Sequence, residues 1–131
     1  MKITRIDPTQ AKPDPSTADY FDGEVKFQRL VSSADSDELD LLCVYFNAGA
    51  RTRPHIHHQD QVLQIIEGQG IVADETEKHV VSTGDVITIP RGMWHWHGAT
   101  RTTAMSHIST MKRGQSDFTV EEKNWAAGYD E

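Results

Sequence analysis

Short runs of β-forming residues, separated by clusters of turn-forming residues, fill the sequence from Gly23 onward. Val, Ile, Leu, Tyr and Phe are frequent in these runs and favour strands. Gly, Pro, Asn, Asp and Ser are frequent between the runs and favour turns. The alternation is typical of an all-β sandwich or barrel. It predicts strands at residues 25–31, 39–46, 61–66, 70–73, 80–81, 86–89 and 102–109.

The two ends of the chain depart from this pattern. Pro8, Pro13 and Pro15 interrupt any regular element in the first part of the chain, so we expect an extended N-terminal arm. Near the other end, Thr119 precedes Glu122 by three residues, a spacing found where helices begin. We therefore expect a short C-terminal helix. A chain of 131 residues predicts one domain over residues 1–131, with its core at about 23–112.

Composition argues against several classes of function. Twenty acidic and thirteen basic residues give a formal net charge of −7, a poor match to nucleic acid or to anionic membrane surfaces. The first residues lack the apolar run of a signal peptide, and no stretch is apolar enough to cross a bilayer. We expect a cytoplasmic protein with no nucleic-acid or membrane partner. Cys43 is the only cysteine and lies in an apolar run, where a buried structural role is expected.

The run at residues 39–46 is apolar on both faces of a strand. The outer face of a lone barrel would contact water, so this pattern indicates a sheet that is covered by a second subunit. We therefore expect a homodimer. The residues that alternate between the two faces are Leu41, Cys43 and Tyr45 on one side and Leu42, Val44 and Phe46 on the other.

The placement of the seven histidines carries the main indication of function. His55 and His57 form one His-x-His pair, and His95 and His97 form another. Residues two apart on a strand point to the same face, so each pair can direct both imidazoles at one point. Gln61 follows His57 by four residues, a span of roughly 13 Å along an extended chain. The chain must therefore turn between these two residues if both are to bind one metal ion.

Glycines recur at fixed offsets around these histidines. They mark positions where the backbone needs positive φ or close approach, so they form a second line of reasoning beside the histidine spacing. Fifteen residues, 69–83, separate two blocks of such positions. One block consists of Gly49, His55, His57, Gln61 and Gly68, and the other of Gly84, Pro90, Gly92 and His95.

At these positions the sequence resembles the cupin superfamily, whose motifs read G-x5-H-x-H-x3-E-x6-G and G-x5-P-x-G-x2-H-x3-N. Gln61 stands where the family usually has Glu, and Ala99 stands where it usually has Asn. The resemblance implies a double-stranded β-helix, or jelly-roll barrel, with one divalent metal ion per chain held inside. The ligands that it implies are His55, His57, Gln61 and His95.

The glutamine changes the charge that is expected at such a site. Three neutral imidazoles and a neutral amide oxygen leave the full dipositive charge on the ion, which makes it a stronger Lewis acid. The same change weakens retention of the metal. A mixed nitrogen and oxygen shell suits Mn, Fe, Ni, Co or Zn.

Two further runs narrow the resemblance. His-Trp-His-Gly-Ala at residues 95–99 and Thr-Thr-Ala-Met-Ser-His at residues 102–107 are similar to runs in the small bacterial cupins that include manganese-dependent, (R)-selective hydroxynitrile (mandelonitrile) lyases. This resemblance implies manganese and a small hydroxylated or carbonyl substrate. It also implies that His97 or His107 accepts the proton of the substrate hydroxyl. The alternative is a structural role for both histidines inside the barrel.

Three functions are compatible with these residues. The first is a metal-dependent lyase. The second is a metal-dependent dioxygenase, because four protein ligands leave two octahedral positions open for substrate or dioxygen. The third is a barrel that binds a small molecule without turnover. In each case we expect Trp94 and Trp96 to face away from the site and pack in a core or interface, and His58 and His79 to face solvent.

Overall fold

Eleven β-strands and three short 3-10 helices form the secondary structure of residues 1–128, the part of the chain that the computed structural model describes. The strands are β1 (Phe21–Asp22), β2 (Val25–Val31), β3 (Leu39–Phe46), β4 (Arg51–Thr52), β5 (Ile56–His57), β6 (Gln61–Ala73), β7 (Lys78–Ser82), β8 (Val86–Ile89), β9 (Trp96–Ala99), β10 (Met105–Lys112) and β11 (Ser116–Asp117). The 3-10 helices are Pro8–Gln10, Pro15–Tyr20 and Lys123–Trp125.

Strand β6 organises the antiparallel sheet, because it takes part in both sides of the barrel. Its first part pairs with β8 and β10, and its last part pairs with β7 and β9. The main path through the sheet is β1-β4-β9-β6-β10-β3-β2, while β5 and β11 form a separate two-stranded ribbon. This curled, almost entirely β arrangement confirms the predicted jelly-roll barrel.

Alternation along β6 places apolar side chains inside the barrel. Leu63 and Ile65 are buried, whereas Gln64 between them is exposed, as the period of two in a strand requires. Full burial of one such side chain contributes about 1.5–3 kcal/mol. The main core also includes Val25, Val44, Phe46, Ala50, Val72, Val81, Ile89, Ala99 and Met105.

A second apolar cluster lies on the outside of the barrel wall. Trp94, Trp96 and Trp125 pack there with Ile71 and Ala73, which confirms that Trp94 and Trp96 pack in a core. Each indole N–H is used. They donate from Trp94 to the Glu121 carbonyl (2.7 Å), from Trp96 to Asn124 Oδ1 (2.9 Å) and from Trp125 to the Thr52 carbonyl (2.8 Å). These bonds fasten the C-terminal segment 116–128, here called the strap, to the barrel.

The turn predicted between residues 66 and 70 is wrong. The sequence predicted separate strands at 61–66 and 70–73, but β6 is continuous through both. Gly68 has φ of 82°, and a Cβ at this position would lie 1.9 Å from the Ala104 carbonyl oxygen. The pairing with β10 shifts register nearby, between the pairs Ser106–Glu67 and His107–Ile65. The glycine therefore lies beside a bulge in a strand that continues, and it does not form a turn that ends the strand.

The two ends of the chain follow the predictions in part. The N-terminal arm is not extended throughout, because Asp7 and Asp14 accept backbone hydrogen bonds that start its two 3-10 helices. A short C-terminal helix is present, but it begins at Lys123. Thr119 does not cap it, since its N–H and hydroxyl both donate to Asp117. The last predicted strand begins at Met105 and ends at Lys112.

Other expectations for single residues are met. Cys43 is buried, and burial raises the pKa of its thiol, as suits a structural cysteine. His58 and His79 are exposed. Leu41 and Tyr45 are half-buried on β3, and the homodimer inferred from that strand stays a prediction. Residues 1–128 include no helix of the length and apolar character that a bilayer crossing demands.

The core position of Leu63 gives a test of the fold. Leu63→Ala removes a side chain with no exposed area, so we expect the free energy of unfolding to fall by about 2–5 kcal/mol. Val86→Ala is the control, because Val86 is 63% exposed and its truncation should cost about 1 kcal/mol or less. Urea unfolding measures both changes. Equal losses in the two variants would contradict the assigned core.

Candidate metal centre

The two sequence blocks meet where His55 and His95 face each other across an isolated antiparallel bridge. The two residues exchange backbone hydrogen bonds of 3.0 and 3.1 Å. His57 belongs to β5, and Gln61 begins β6 after the turn formed by residues 58–60. The turn demanded by the spacing is therefore present, and it returns the chain to the same inner surface.

The four predicted ligands are buried and lie close together. Ring centroids are 4.2 Å apart for His55 and His95, 4.7 Å for His55 and His57, and 5.2 Å for His57 and His95. Gln61 Oε1 lies 3.3 Å from His95 Nε2, and the Gln61 amide nitrogen donates to Ser109 Oγ at 2.8 Å. The structure thus places all four predicted residues on one inner surface, although His57 lies outside the group of described ligand atoms that approach one another within 4.8 Å.

An oxygen atom lies within hydrogen-bond distance of Nδ1 in each of the three histidines among the predicted ligands. The Arg53 carbonyl lies 2.8 Å from His55 Nδ1, and the Met93 carbonyl lies 2.9 Å from His95 Nδ1. A carbonyl can only accept, so Nδ1 carries the proton in both rings and Nε2 presents a lone pair. Ser116 Oγ lies 2.6 Å from His57 Nδ1 and can accept in the same way.

This arrangement leaves electron pairs without donors inside the barrel. His57 Nε2 is buried and has no hydrogen-bond partner among the described residues. The lone pair of His95 Nε2 faces the amide oxygen of Gln61, and two acceptors repel each other at that distance. A cation bound between these atoms would satisfy them together, so the residues fit the predicted divalent ion.

Burial keeps the imidazoles neutral, as metal ligands must be. It lowers the pKa of His57 and of His95 to about 4 each. Burial also lowers the pKa of His55 well below its ordinary value, with a further contribution from the neighbouring His95 and His57. Three neutral nitrogen donors are therefore available at neutral pH.

His97 and His107 form a second buried pair in the same cavity. His97 Nδ1 lies 3.2 Å from His107 Nε2, so one nitrogen donates to the other. The remaining nitrogens, His97 Nε2 and His107 Nδ1, have no partner among the described residues. Burial lowers the pKa of His107 to about 4 and that of His97 well below its ordinary value. Both rings are neutral, and because one donates to the other, one outer nitrogen carries a lone pair and the other outer nitrogen carries an N–H.

His97 is closer to the ligands than the sequence reasoning assumed. Ligand atoms of His55, His95 and His97 all lie within 4.8 Å of one another, which makes His97 a candidate ligand as well as a candidate base. The signal for this was present in the sequence, because strand parity places His97 on the same face as His95. The family motif assigns a ligand role to His95 but none to His97.

The cavity beside the histidines has a volume of about 130 Å³ and is mostly apolar. For comparison, an apolar cavity of about 150 Å³ accommodates benzene. None of the described lining residues is acidic. Sequence reasoning missed the apolar wall, because its members come from five separate parts of the chain. They are Phe21, Phe27, Leu42, Val44, Phe46, Met111 and Phe118.

The neutral histidines predict how stability depends on pH. His57, His95 and His107 have pKa values of about 4 in the folded chain and about 6.5 when unfolded. Between these values the unfolded chain binds more protons, so the free energy of unfolding should fall as pH falls. Above about pH 7 the contribution of these groups should be constant.

Urea unfolding of metal-free protein between about pH 7.5 and 5 checks this expectation. His79→Gln is the control, since it removes an exposed histidine and should keep the pH dependence that the buried histidines supply. A stability that does not change over this range would show that the histidines are not held neutral by burial.

Comparisons with known proteins agree with this geometry. The family model described as a cupin domain matches residues 42–111, which include all six candidate residues. An (R)-mandelonitrile lyase from Granulicella tundricola is 34% identical over 114 residues, which is 86% of each chain. The pectin degradation protein KdgF from Dickeya dadantii is 36% identical over 61 residues, 46% of this chain and 56% of that protein.

A solved structure supports the same fold. The cupin-like protein from Thermotoga maritima superimposes with a TM-score of 0.76 at 28% identity, over 87% of this chain and 92% of that chain. The jelly-roll barrel therefore has a close structural parallel.

Proposed function

This chain belongs to the cupin family, and from that premise we propose that it is a metal-dependent lyase of hydroxynitrile-lyase type. The observation that carries the proposal is the convergence of two groups inside one apolar cavity. The first group is the candidate ligands: His55, His57 and Gln61 line the cavity, and His95 contacts Gln61. The second group is the neutral pair of His97 and His107, which line the same cavity. The likeness to an (R)-mandelonitrile lyase supports this reaction over others that cupins perform.

The metal site would hold one divalent ion per chain through His55, His57, Gln61 and His95. Manganese is our first choice, with Fe, Ni, Co or Zn as alternatives. When bound, the ion would supply Lewis acidity at the substrate hydroxyl oxygen and would favour a departing anion. Because Gln61 is neutral, the protein takes none of the positive charge away.

The histidine pair would move the proton. In a cyanohydrin, a free imidazole nitrogen removes the hydroxyl proton, the oxygen forms a carbonyl, and the bond to the nitrile carbon breaks with its electron pair leaving on cyanide. The protonated imidazole then returns the proton to cyanide, so that the products are an aldehyde or ketone and HCN. Burial keeps both imidazoles unprotonated at neutral pH, so a ring is ready to accept the proton, and its lowered pKa favours return of that proton to cyanide.

The contact between the two rings adds a relay. When His97 Nε2 accepts a proton, its Nδ1–H can pass to His107 Nε2, and His107 Nδ1 can release a proton in turn. Both outer nitrogens are free of partners among the described residues, as this exchange requires. In this tautomer His97 Nε2 is the base next to the substrate. In the reverse tautomer, with His107 Nε2–H donating to His97 Nδ1, the base is His107 Nδ1.

The apolar wall would select the body of the substrate. Phe21, Phe27 and Phe46 surround the cavity together with aliphatic side chains, so it suits an aryl or alkyl group better than a charged one. Its volume of about 130 Å³ limits that group to the size of one small ring. We expect one small-molecule substrate of this kind to bind per barrel.

Cleavage of racemic mandelonitrile tests the proposal. Metal-free protein should be inactive and should regain activity with Mn²⁺, as measured by the absorbance of benzaldehyde. His107→Ala and His97→Ala should lower kcat/KM by about 10²–10⁴-fold while keeping bound manganese, with exposed His79→Ala as the matched control.

The outcomes separate the possible roles. Manganese-loaded protein that leaves mandelonitrile intact would contradict the lyase, and oxygen uptake on addition of substrate would then support the dioxygenase instead. Loss of manganese in His97→Ala would identify His97 as a ligand. Retention of metal with loss of activity would identify it as part of the proton pathway.

Gln61→Glu tests the role of the neutral ligand. The new carboxylate can accept the Ser109 hydroxyl hydrogen bond, and its charge should tighten divalent metal binding by at least about tenfold. Because it also reduces the Lewis acidity of the ion, lyase turnover should fall. Metal titration and the benzaldehyde assay measure the two effects. Gln64→Glu adds the same charge on the exposed face of β6, so it should change neither quantity.

A further inference from the structure

The strap lies outside the matched cupin domain, which ends at residue 111, yet it reaches the candidate metal centre. Its first strand, β11, pairs with β5, so that Ser116 lies opposite His57 and Asp117 lies opposite Ile56. The His58 backbone N–H donates to the Gln115 carbonyl at 3.0 Å on the same side. The strand that carries one predicted ligand therefore has the strap as its partner.

Ser116 supplies the Nδ1 partner of His57 from a side chain, whereas the other two predicted ligand histidines have backbone carbonyls as their Nδ1 partners. His55 and His95 are held by the carbonyls of Arg53 and Met93, each two residues before the ring that it holds. His57 is instead held by the side chain of Ser116, at 2.6 Å and 59 residues away in sequence. Of the three Nδ1 partners, only this one depends on the identity of a side chain.

Phe118 makes the second contact of the strap with the site. Its ring stacks on His55 with centroids 4.4 Å apart and an interplanar angle of 19°. On its other face it stacks on Tyr20 at 4.2 Å and 17°. Phe118 also lines the cavity. The N-terminal arm, the strap and a predicted ligand are thus joined in one column of rings.

The strap is anchored well enough to position these side chains. Besides the three indole hydrogen bonds, the buried Arg51 guanidinium donates to the Trp125 carbonyl at 2.7 Å and lies 3.9 Å from the centroid of the Trp125 ring. Arg53 forms an ion pair with Glu122 at 2.8 Å. These contacts fix the far part of the strap to the barrel wall, so its first residues are held against the histidines.

We propose that the strap is a working part of the metal centre, in which Ser116 holds His57 in the Nδ1–H tautomer and Phe118 holds the ring of His55 in place. Both are positioning residues, since they act on the ligands and not on the substrate. With Nδ1 protonated, His57 presents its Nε2 lone pair to the cavity, where that atom has no other partner among the described residues. The inference rests on the proposed metal-dependent function.

Co²⁺ binding to the full chain tests this role, with the metal ion alone as the probe. Chelator-treated protein is titrated with Co²⁺, and its visible absorption gives both affinity and coordination geometry. Ser116→Ala should weaken the affinity about tenfold, as loss of a ligand's hydrogen-bond partner commonly does. Ser116→Thr keeps the hydroxyl and should restore the parent affinity.

A second measurement reports the tautomer directly. Nitrogen-15 NMR of the His57 ring in metal-free protein should show one Nδ1-protonated form in the parent and in Ser116→Thr. Ser116→Ala should show a mixture of the two tautomers. Phe118→Leu keeps an apolar side chain but removes the stacked ring, so it should weaken Co²⁺ binding in the same direction. If Ser116→Ala fails to fold, the Co²⁺ affinity of Phe118→Leu still tests whether the strap acts on the metal centre.

Thr119→Ala is the matched control in the strap, because Thr119 bonds to Asp117 and touches neither histidine. Equal affinities in Ser116→Ala and the parent would overturn the inference while leaving the metal centre intact. A loss in Thr119→Ala as large as that in Ser116→Ala would also overturn it, by showing a general disturbance of the strap. A parent protein that binds no Co²⁺ would overturn the inference and the proposed function together.

Discussion

Five imidazoles are buried around a cavity whose described lining residues include no carboxylate, and the rest of the structure depends on this constraint. Charged imidazolium groups would repel one another in this space, so the barrel must keep the rings neutral and must supply a partner for the Nδ1–H of each candidate ligand. Backbone carbonyls satisfy His55 and His95, and Ser116 satisfies His57. With Nδ1 bonded in this way, the Nε2 atoms of the three rings face the interior of the barrel, where a bound cation would accept their lone pairs.

The buried histidines lower the stability of the folded chain, and the surrounding apolar core offsets this cost. An unsatisfied buried polar atom costs about 1–3 kcal/mol, and three imidazole nitrogens stand in that position among the described residues, namely His57 Nε2, His97 Nε2 and His107 Nδ1. The apolar core around β6 and the tryptophan cluster outside the barrel offset such a cost. Local violations of packing rules of this kind are expected where function requires them.

The sequence predicted the fold and the proximity of the candidate ligands, because both depend on local spacing. The period of two put His55, His57 and His95 on inner faces, and the interval before Gln61 required the turn that the structure contains. The sequence predicted a turn at Gly68, because a glycine with positive φ occurs both in turns and beside bulges. Its role depends on the approach of Ala104 from another strand, which spacing along one chain does not reveal.

Contacts between distant segments account for what spacing did not predict. Phe21 and Phe118 line the same cavity although almost the whole barrel separates them in sequence, and no short motif connects them. Sequence spacing does not reveal the role of Ser116 either, because its partner His57 lies 59 residues earlier. The cupin core supplies the candidate ligands, whereas the ends of the chain orient and cover them. Two chains with the same histidine motifs can therefore differ in metal affinity and in the shape of the cavity through their ends alone.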